Sequence, residues 1–231
     1  MSTSLTPNMA FDFASSILRH PALDDPNNSG FKLRVLDDAK KYLWMARPWY
    51  WTLGSMPNIA LVAGTVDYTV SMPADFWKLE KAFMTDGMVN SPLAIVAFTP
   101  PVPTIAQAPT QIAWTGSSNI RVYPTPGSLS QTTTVVSLYK KQCANITNPA
   151  LTTELVAPDD YFPVYEQIVL WYAMYYDGDD RAGETQINPQ TGQIVYTGQR
   201  AVMESFIEEW GRRDPTMIEW DMRPDNKADK R

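Results

Sequence analysis

The sequence predicts an α+β protein: a helical bundle with an inserted antiparallel β-domain and an extended C-terminal tail. Three observations predict it. Apolar residues recur at helical spacing towards both ends of the chain. Between about 55 and 142 the period changes to short alternating runs bounded by turn residues. The stretch 159–176 begins with Asp159 and Asp160 and is then apolar nearly all round, with Glu166 and Gln167 as its polar residues. A helix of that kind is packed by several neighbours. It is too short to cross a bilayer, which takes about 20 apolar residues. The expected division is 1–54 with 143–213 as the bundle, 55–142 as the β-domain and 214–231 as the tail.

The first helix is expected near 8–20, with Met9, Phe13, Ile17 and Leu18 on one face. His20-Pro21 ends it, because the residue before proline avoids helical geometry. The second helix is expected over 31–46, with Leu33, Leu36, Tyr42, Leu43 and Met45 as apolar positions. There Asp37 and Asp38 precede Lys40 and Lys41 at pairing distance. Trp44, Trp49, Tyr50 and Trp51 crowd its exit, as core, inter-subunit or stacking aromatics.

From 57 onward, NIALVAG and VDYTVSMPADF read as a hairpin around Gly64-Thr65. Residues 76–84 alternate as a strand, a short helix being the alternative, and PLAIVAF (92–98) is a further strand. TPPVPTIAQAPTQ reads as a surface loop. Three more short strands follow in QIAWTG, NIRVYPTP and TTTVVSLYKKQ. Their spacing is that of a small sandwich or open barrel. Residues 143–157 read as a linker. Pro158, Asp159 and Asp160 start the central helix and Gly178 stops it. A connection over 177–192 leads to a last helix at 193–212, with Val195, Val202, Phe206, Ile207 and Trp210 on its buried face.

The 231 residues carry a net charge of −6, which argues against a protein that grips nucleic acid through phosphates. One cysteine, Cys143, excludes an internal disulfide and reads as structural. No signal peptide or transmembrane stretch is expected. The single histidine, His20, reads as a capping or surface residue. No Walker loop occurs, and one Cys with one His disfavours zinc. The acids Asp177, Asp179, Asp180 and Glu184 lack the EF-hand pattern and read as a solvated helix end. Neither catalytic residue, cofactor nor metal is therefore expected. The tail places Met217, Ile218, Trp220 and Met222 beside Arg223, beyond the last helix. Exposing such residues gains nothing. Either they fold back on their own bundle or they dock on a neighbour, with Trp220 as anchor.

The segment ALVAGTVDYTVSMPADFWKLEKAF (60–83) resembles the head-to-tail adaptors of tailed bacteriophages, the ring proteins below the portal. Tyr68, Pro73, Asp75 and Phe76 carry the likeness. IRVYPTPG (120–127), with Tyr123 and Pro124, is similar to a family strand ending in Pro-x-Pro. An aromatic helix after Pro158-Asp-Asp-Tyr161 follows in the same order, and the likeness spans about 30–213. The loop 99–110 and the connection 177–192 are longer than in shorter relatives. The resemblance implies a virion protein made in the host cytoplasm and placed at the head-tail junction. It would form a ring, commonly a dodecamer, that binds the portal and tail proteins such as the nozzle. Viral DNA would pass through without sequence-specific binding. Met217, Ile218, Trp220, Met222 and Arg223 are the expected portal interface. The alternative function is a tail or baseplate component whose β-domain binds a host glycan through exposed aromatics.

Overall fold

A computed structural model describes residues 5–18, 29–86, 90–97, 106–116, 118–127 and 133–214. The fold is mixed α+β, with four α-helices and largely antiparallel sheets among the described residues. The chain divides into two compact units, Met1–Trp51 with Cys143–Arg231, and Thr52–Gln142.

The first unit holds α1 (Pro7–Leu18), α2 (Ser29–Ala46), α3 (Phe162–Asp177) and α4 (Gly198–Arg213). Helix α3 packs against each of the other three, as its all-round apolarity predicts. Val164, Tyr165, Ile168, Val169 and Ala173 are fully buried there. Its start is a single 3-10 turn, Asp159–Tyr161, followed by Pro163 in the first helical turn, where a missing N–H costs nothing. Gly178 ends it at φ 73°, and the Asp179 N–H bonds the Met174 carbonyl at 3.0 Å, closing the last turn.

Three expectations in this unit need correction. The buried stripe of α1 is Pro7, Ala10, Phe11 and Ala14. Met9 and Ile17 of the expected face are exposed, while Phe13 and Leu18 are half-buried against the core. The segment 143–157 is more than a linker: Ile146, Leu155 and Ala157 join the helical core, and a 3-10 turn forms at Thr152–Glu154. Residues 193–197 are not helical. Thr185–Ile187 and Ile194–Tyr196 pair antiparallel as a hairpin inside the expected connection. Val195 is therefore an exposed strand residue, and Val202 is exposed as well. The buried face of α4 is Met203, Ile207 and Gly211, at a spacing of four. Phe206 and Trp210 are half-buried against the helical core, as expected, and stack on each other with ring centroids 5.5 Å apart.

The second unit has two sheets sharing one core. In one, the order is β1 (Leu53–Ser55), β9 (Thr134–Lys141), β4 (Phe76–Thr85), β5 (Asn90–Pro92), with β2 (Ile59–Ala60) also on β9. In the other it is β3 (Asp67–Thr69), β8 (Asn119–Tyr123), β7 (Gln111–Gly116), β6 (Ala94–Ile95). Leu79, Ala82, Val135, Ile112, Ile120 and Val122 meet in the shared core.

The expected hairpin at Gly64 does not form. β2 pairs with β9 and β3 pairs with β8, in different sheets, and the turn between them is held by the Tyr68 hydroxyl instead. The run 92–98 is likewise divided. β5 joins β4 while β6 joins β7 in parallel, with buried Leu93 at the crossing between sheets. Strand 76–85 is confirmed, but its alternation breaks. Register shifts between Phe76 and Lys78 and between Leu79 and Lys81 bury Leu79 and Ala82, three apart, rather than alternate residues. Of the loop 99–110, residues 99–105 lie outside the described residues.

Candidate functional site

The chemistry of the last described turn begins with a carboxylate. Asp214 follows α4 and is 2% exposed. It accepts a hydrogen bond from the Tyr161 hydroxyl at 2.7 Å and another from the Tyr50 N–H at 3.3 Å. A buried carboxylate is tolerable only with such donors. Burial, then the bond to Asp214, push the Tyr161 hydroxyl far above its ordinary pKa. Burial and the Asp214 charge raise Tyr50 too.

Beside this clamp lies a cavity of about 560 Å³. Tyr50, Tyr161, Pro163 and Trp210 give it an aromatic and apolar wall, and Asp159, Asp160 and Arg213 give it charge. The wall is fixed by its own bonds. The Trp210 indole N–H donates to the Asp160 carbonyl at 2.6 Å. The Arg213 guanidinium lies 5.0 Å from the centre of the Trp210 ring and pairs with Glu209 one turn earlier. Trp49, Tyr50 and Trp51 each contact the Tyr161 ring, and Trp44 meets Trp51 edge-on at 5.1 Å. The Trp-rich exit of the second helix therefore braces the start of the central helix, the packing reading of that cluster. Trp49 is 1% exposed, with its indole N–H on the Leu43 carbonyl.

The tail residues Met217, Ile218, Trp220, Met222 and Arg223 lie outside the described residues, as does His20. The chain reaches them through Asp214, at the edge of the cavity. The spacing of apolar residues flags the tail, but nothing in the sequence singles out Asp214 as a buried acid. Its signal is weak: one acid between a helix end and a proline.

The motif residues occupy turns and sheet contacts of the second unit. Tyr68 donates from its hydroxyl to the Thr65 carbonyl at 2.9 Å and accepts from the Val62 N–H at 3.1 Å. Pro73 offers its carbonyl to the Phe76 N–H at 3.0 Å. Asp75 accepts from the Tyr139 hydroxyl at 2.6 Å, and its carbonyl accepts from the Gln142 N–H. Burial, followed by that bond, pushes Tyr139 up to about 12. Phe76 lies edge-on to Trp114 at 5.0 Å, and the Tyr123-Pro124 bond is cis. These residues thus shape loops and seat strands.

Of the acids after α3, Asp179 is engaged locally. Asp179 accepts from the Arg181 backbone and side chain, and the guanidinium holds its carboxyl below the usual range. No group of acids, histidines and cysteines that could hold a metal occurs among the described residues. No described helix is long and apolar enough to cross a membrane. Cys143 is half-buried beside the Ala144 carbonyl.

No curated protein matches the chain. The family model of the SU10 adaptor protein matches residues 12–204, which takes in all four helices in whole or in part and every described strand. That span also holds the quoted likeness over 60–83 and 120–127, and on it the chain belongs to the SU10 adaptor protein family, a family of phage structural adaptors.

Proposed function

We propose that this adaptor forms a homo-oligomeric ring under the portal, joins capsid to tail and lines the DNA passage. The bundle of α1–α4 with residues 143–157 would face the portal. The single observation that carries this reading is the family match over 12–204. The clamp on Asp214 adds to it: the chain before the tail is tied to the first turn of the central helix, a firm base for a segment that engages another protein. The net charge of −6 suits a wall that passes a polyanion without holding it. In this reading a ring, dodecameric by the family resemblance, assembles on the portal as template. The tail contributes Met217, Ile218, Trp220, Met222 and Arg223 to the portal, and tail proteins bind below.

The test is the mass of the protein in solution, alone and mixed with the portal of the same genome. A stoichiometric complex supports the reading. Deleting 215–231 should weaken it, and Trp220→Ala should cost about 2 kcal/mol of binding if Trp220 is the anchor. An undiminished affinity after deletion removes the tail from the interface.

A second reading keeps one specific observation. Trp77 and Trp114, on β4 and β7, are each 42% exposed. A glycan-binding tail component would use such rings. Binding to a host surface glycan that disappears in Trp77→Ala or Trp114→Ala, with no portal complex, would favour it.

A further inference from the structure

The cavity beside Asp214 is open, aromatic and within reach of a segment rich in the side chains it suits. We propose that it is the seat of the protein's own C-terminal segment, with the Trp220 indole entering between Tyr50, Tyr161 and Trp210. This docking occurs within one chain, in the protein free of partners. It does not depend on the portal being the tail's eventual target.

Four observations lead to that occupant. The first is position. Arg213 and Trp210 line the cavity, and the chain continues from Asp214 at its edge. The second is length. Trp220 lies six positions beyond Asp214, a span of at most about 20 Å, so the indole reaches a site at the chain's own root with slack for a turn. Asp214 is already extended, and Pro215 directly after it disfavours continuing the helix. The third is size and chemistry. A cavity of about 560 Å³ lies within the usual range of small-ligand sites and has room for an indole with a neighbouring methionine or isoleucine side chain. Its wall of rings suits edge-to-face contact with a further ring. The fourth is charge. Asp159 and Asp160 lie at the cavity, both exposed, and Arg223 follows Trp220 by three residues. The segment's own Asp221 has the charge complementary to Arg213 of the cavity wall.

In consequence the same indole cannot occupy this cavity and a partner's pocket at once. A partner that takes the tail must compete with a tethered occupant, whose effective concentration is high because the linker is short. The docked segment therefore sets a threshold for engagement and keeps the Trp220 indole covered until it is met.

The test uses the full chain labelled with 5-fluorotryptophan and read by fluorine NMR. Comparing the full chain with Trp220→Phe assigns the Trp220 line. The expected result has three parts. The Trp220 line differs from that of a synthetic 214–231 peptide. It moves towards the peptide position in Tyr50→Ala, which removes one wall and leaves the backbone bond to Asp214. In Trp220→Ala, whose change lies outside the packed units, the Trp210 line moves. Tenfold dilution leaves the spectrum unchanged if the docking is within one chain. A Trp220 line coincident with the free peptide, with the Trp210 line unmoved in Trp220→Ala, overturns the proposal. A Trp220 line that returns to the peptide position on dilution also overturns it, and assigns the occupant to a second copy.

Discussion

The two units of this protein are held together by different means. The helical unit packs three helices around one apolar helix, and the polar tips of several of its tyrosines are satisfied individually. Tyr165 donates to the Leu36 carbonyl at 3.0 Å, Tyr161 to Asp214, Tyr42 to Glu204 and Tyr176 to Asp38. The β unit divides its core among strands that are often two or three residues long, and relies on turn-holding side chains such as Tyr68. One long element shared by all its neighbours makes stability collective. Many short elements make it local. Changes to the first unit should therefore act on the whole unit, and changes at turns of the second should act near the turn.

The sharpest way to break this contrast is Tyr165→Ala. The side chain is fully buried, so its loss leaves a cavity and strands the Tyr165 partner. The expected cost is about 3–5 kcal/mol, read as a fall in the urea midpoint. An effect under about 1 kcal/mol would show that α3 is not the shared element it looks to be. Next is Gly183→Ala. At φ 78° a Cβ would fall 1.9 Å from the Thr197 carbonyl oxygen, a backbone atom that cannot step aside. A loss of about 2–4 kcal/mol is expected. Hydrogen exchange should place it at the base of the 185–196 hairpin as well as in α4. Asp214→Asn should cost about 1–3 kcal/mol, because it weakens the charged acceptor of two donors. A matching loss in Tyr161→Phe, with less than additive effect in the double variant, would confirm the coupling.

Tyr68→Phe should cost about 1 kcal/mol and confine its loss of amide protection to 62–68, the local outcome expected of the β unit. The smallest effect concerns pH. Glu154 accepts from the Thr147 hydroxyl and from the N–H groups of Thr147 and Asn148, and these bonds hold its carboxyl below the ordinary 4.5. A depressed carboxylate stabilises the fold above its unfolded pKa and loses that contribution as pH falls through its folded value. Midpoints measured from pH 6 to 3 should thus fall less steeply in Glu154→Gln than in the parent. Parallel curves would dissolve the assignment.

The long, strongly patterned elements were legible in the sequence. The central helix, its glycine stop, strand 76–85 and the strands at 111, 119 and 134 all follow from periodicity and turn residues. Elements of two or three residues were not, because so short a run carries no period. The strand at Ile194–Tyr196 was absorbed into the helix that follows, since Val195 fits a helical face as readily as a strand. Sheet membership was also hidden. Nothing local says that Ile59 pairs with Val135 while Tyr68 pairs with Ile120. At the candidate site the apolar tail and the tryptophans were visible by composition. The buried acid that joins them was not, because its donors come from residues 50 and 161, far from it in sequence.

The bond between Asp214 and Tyr161 has a mechanical side. A pull on the chain beyond residue 214 does not first unwind α4 from its free end. It loads a buried acceptor whose donors belong to the start of α3 and to the exit of α2. Tension is thereby passed sideways into the centre of the helical unit and shared by three helices. The carboxylate acts as a cleat, and the rope made fast there can be hauled on without the mast coming down.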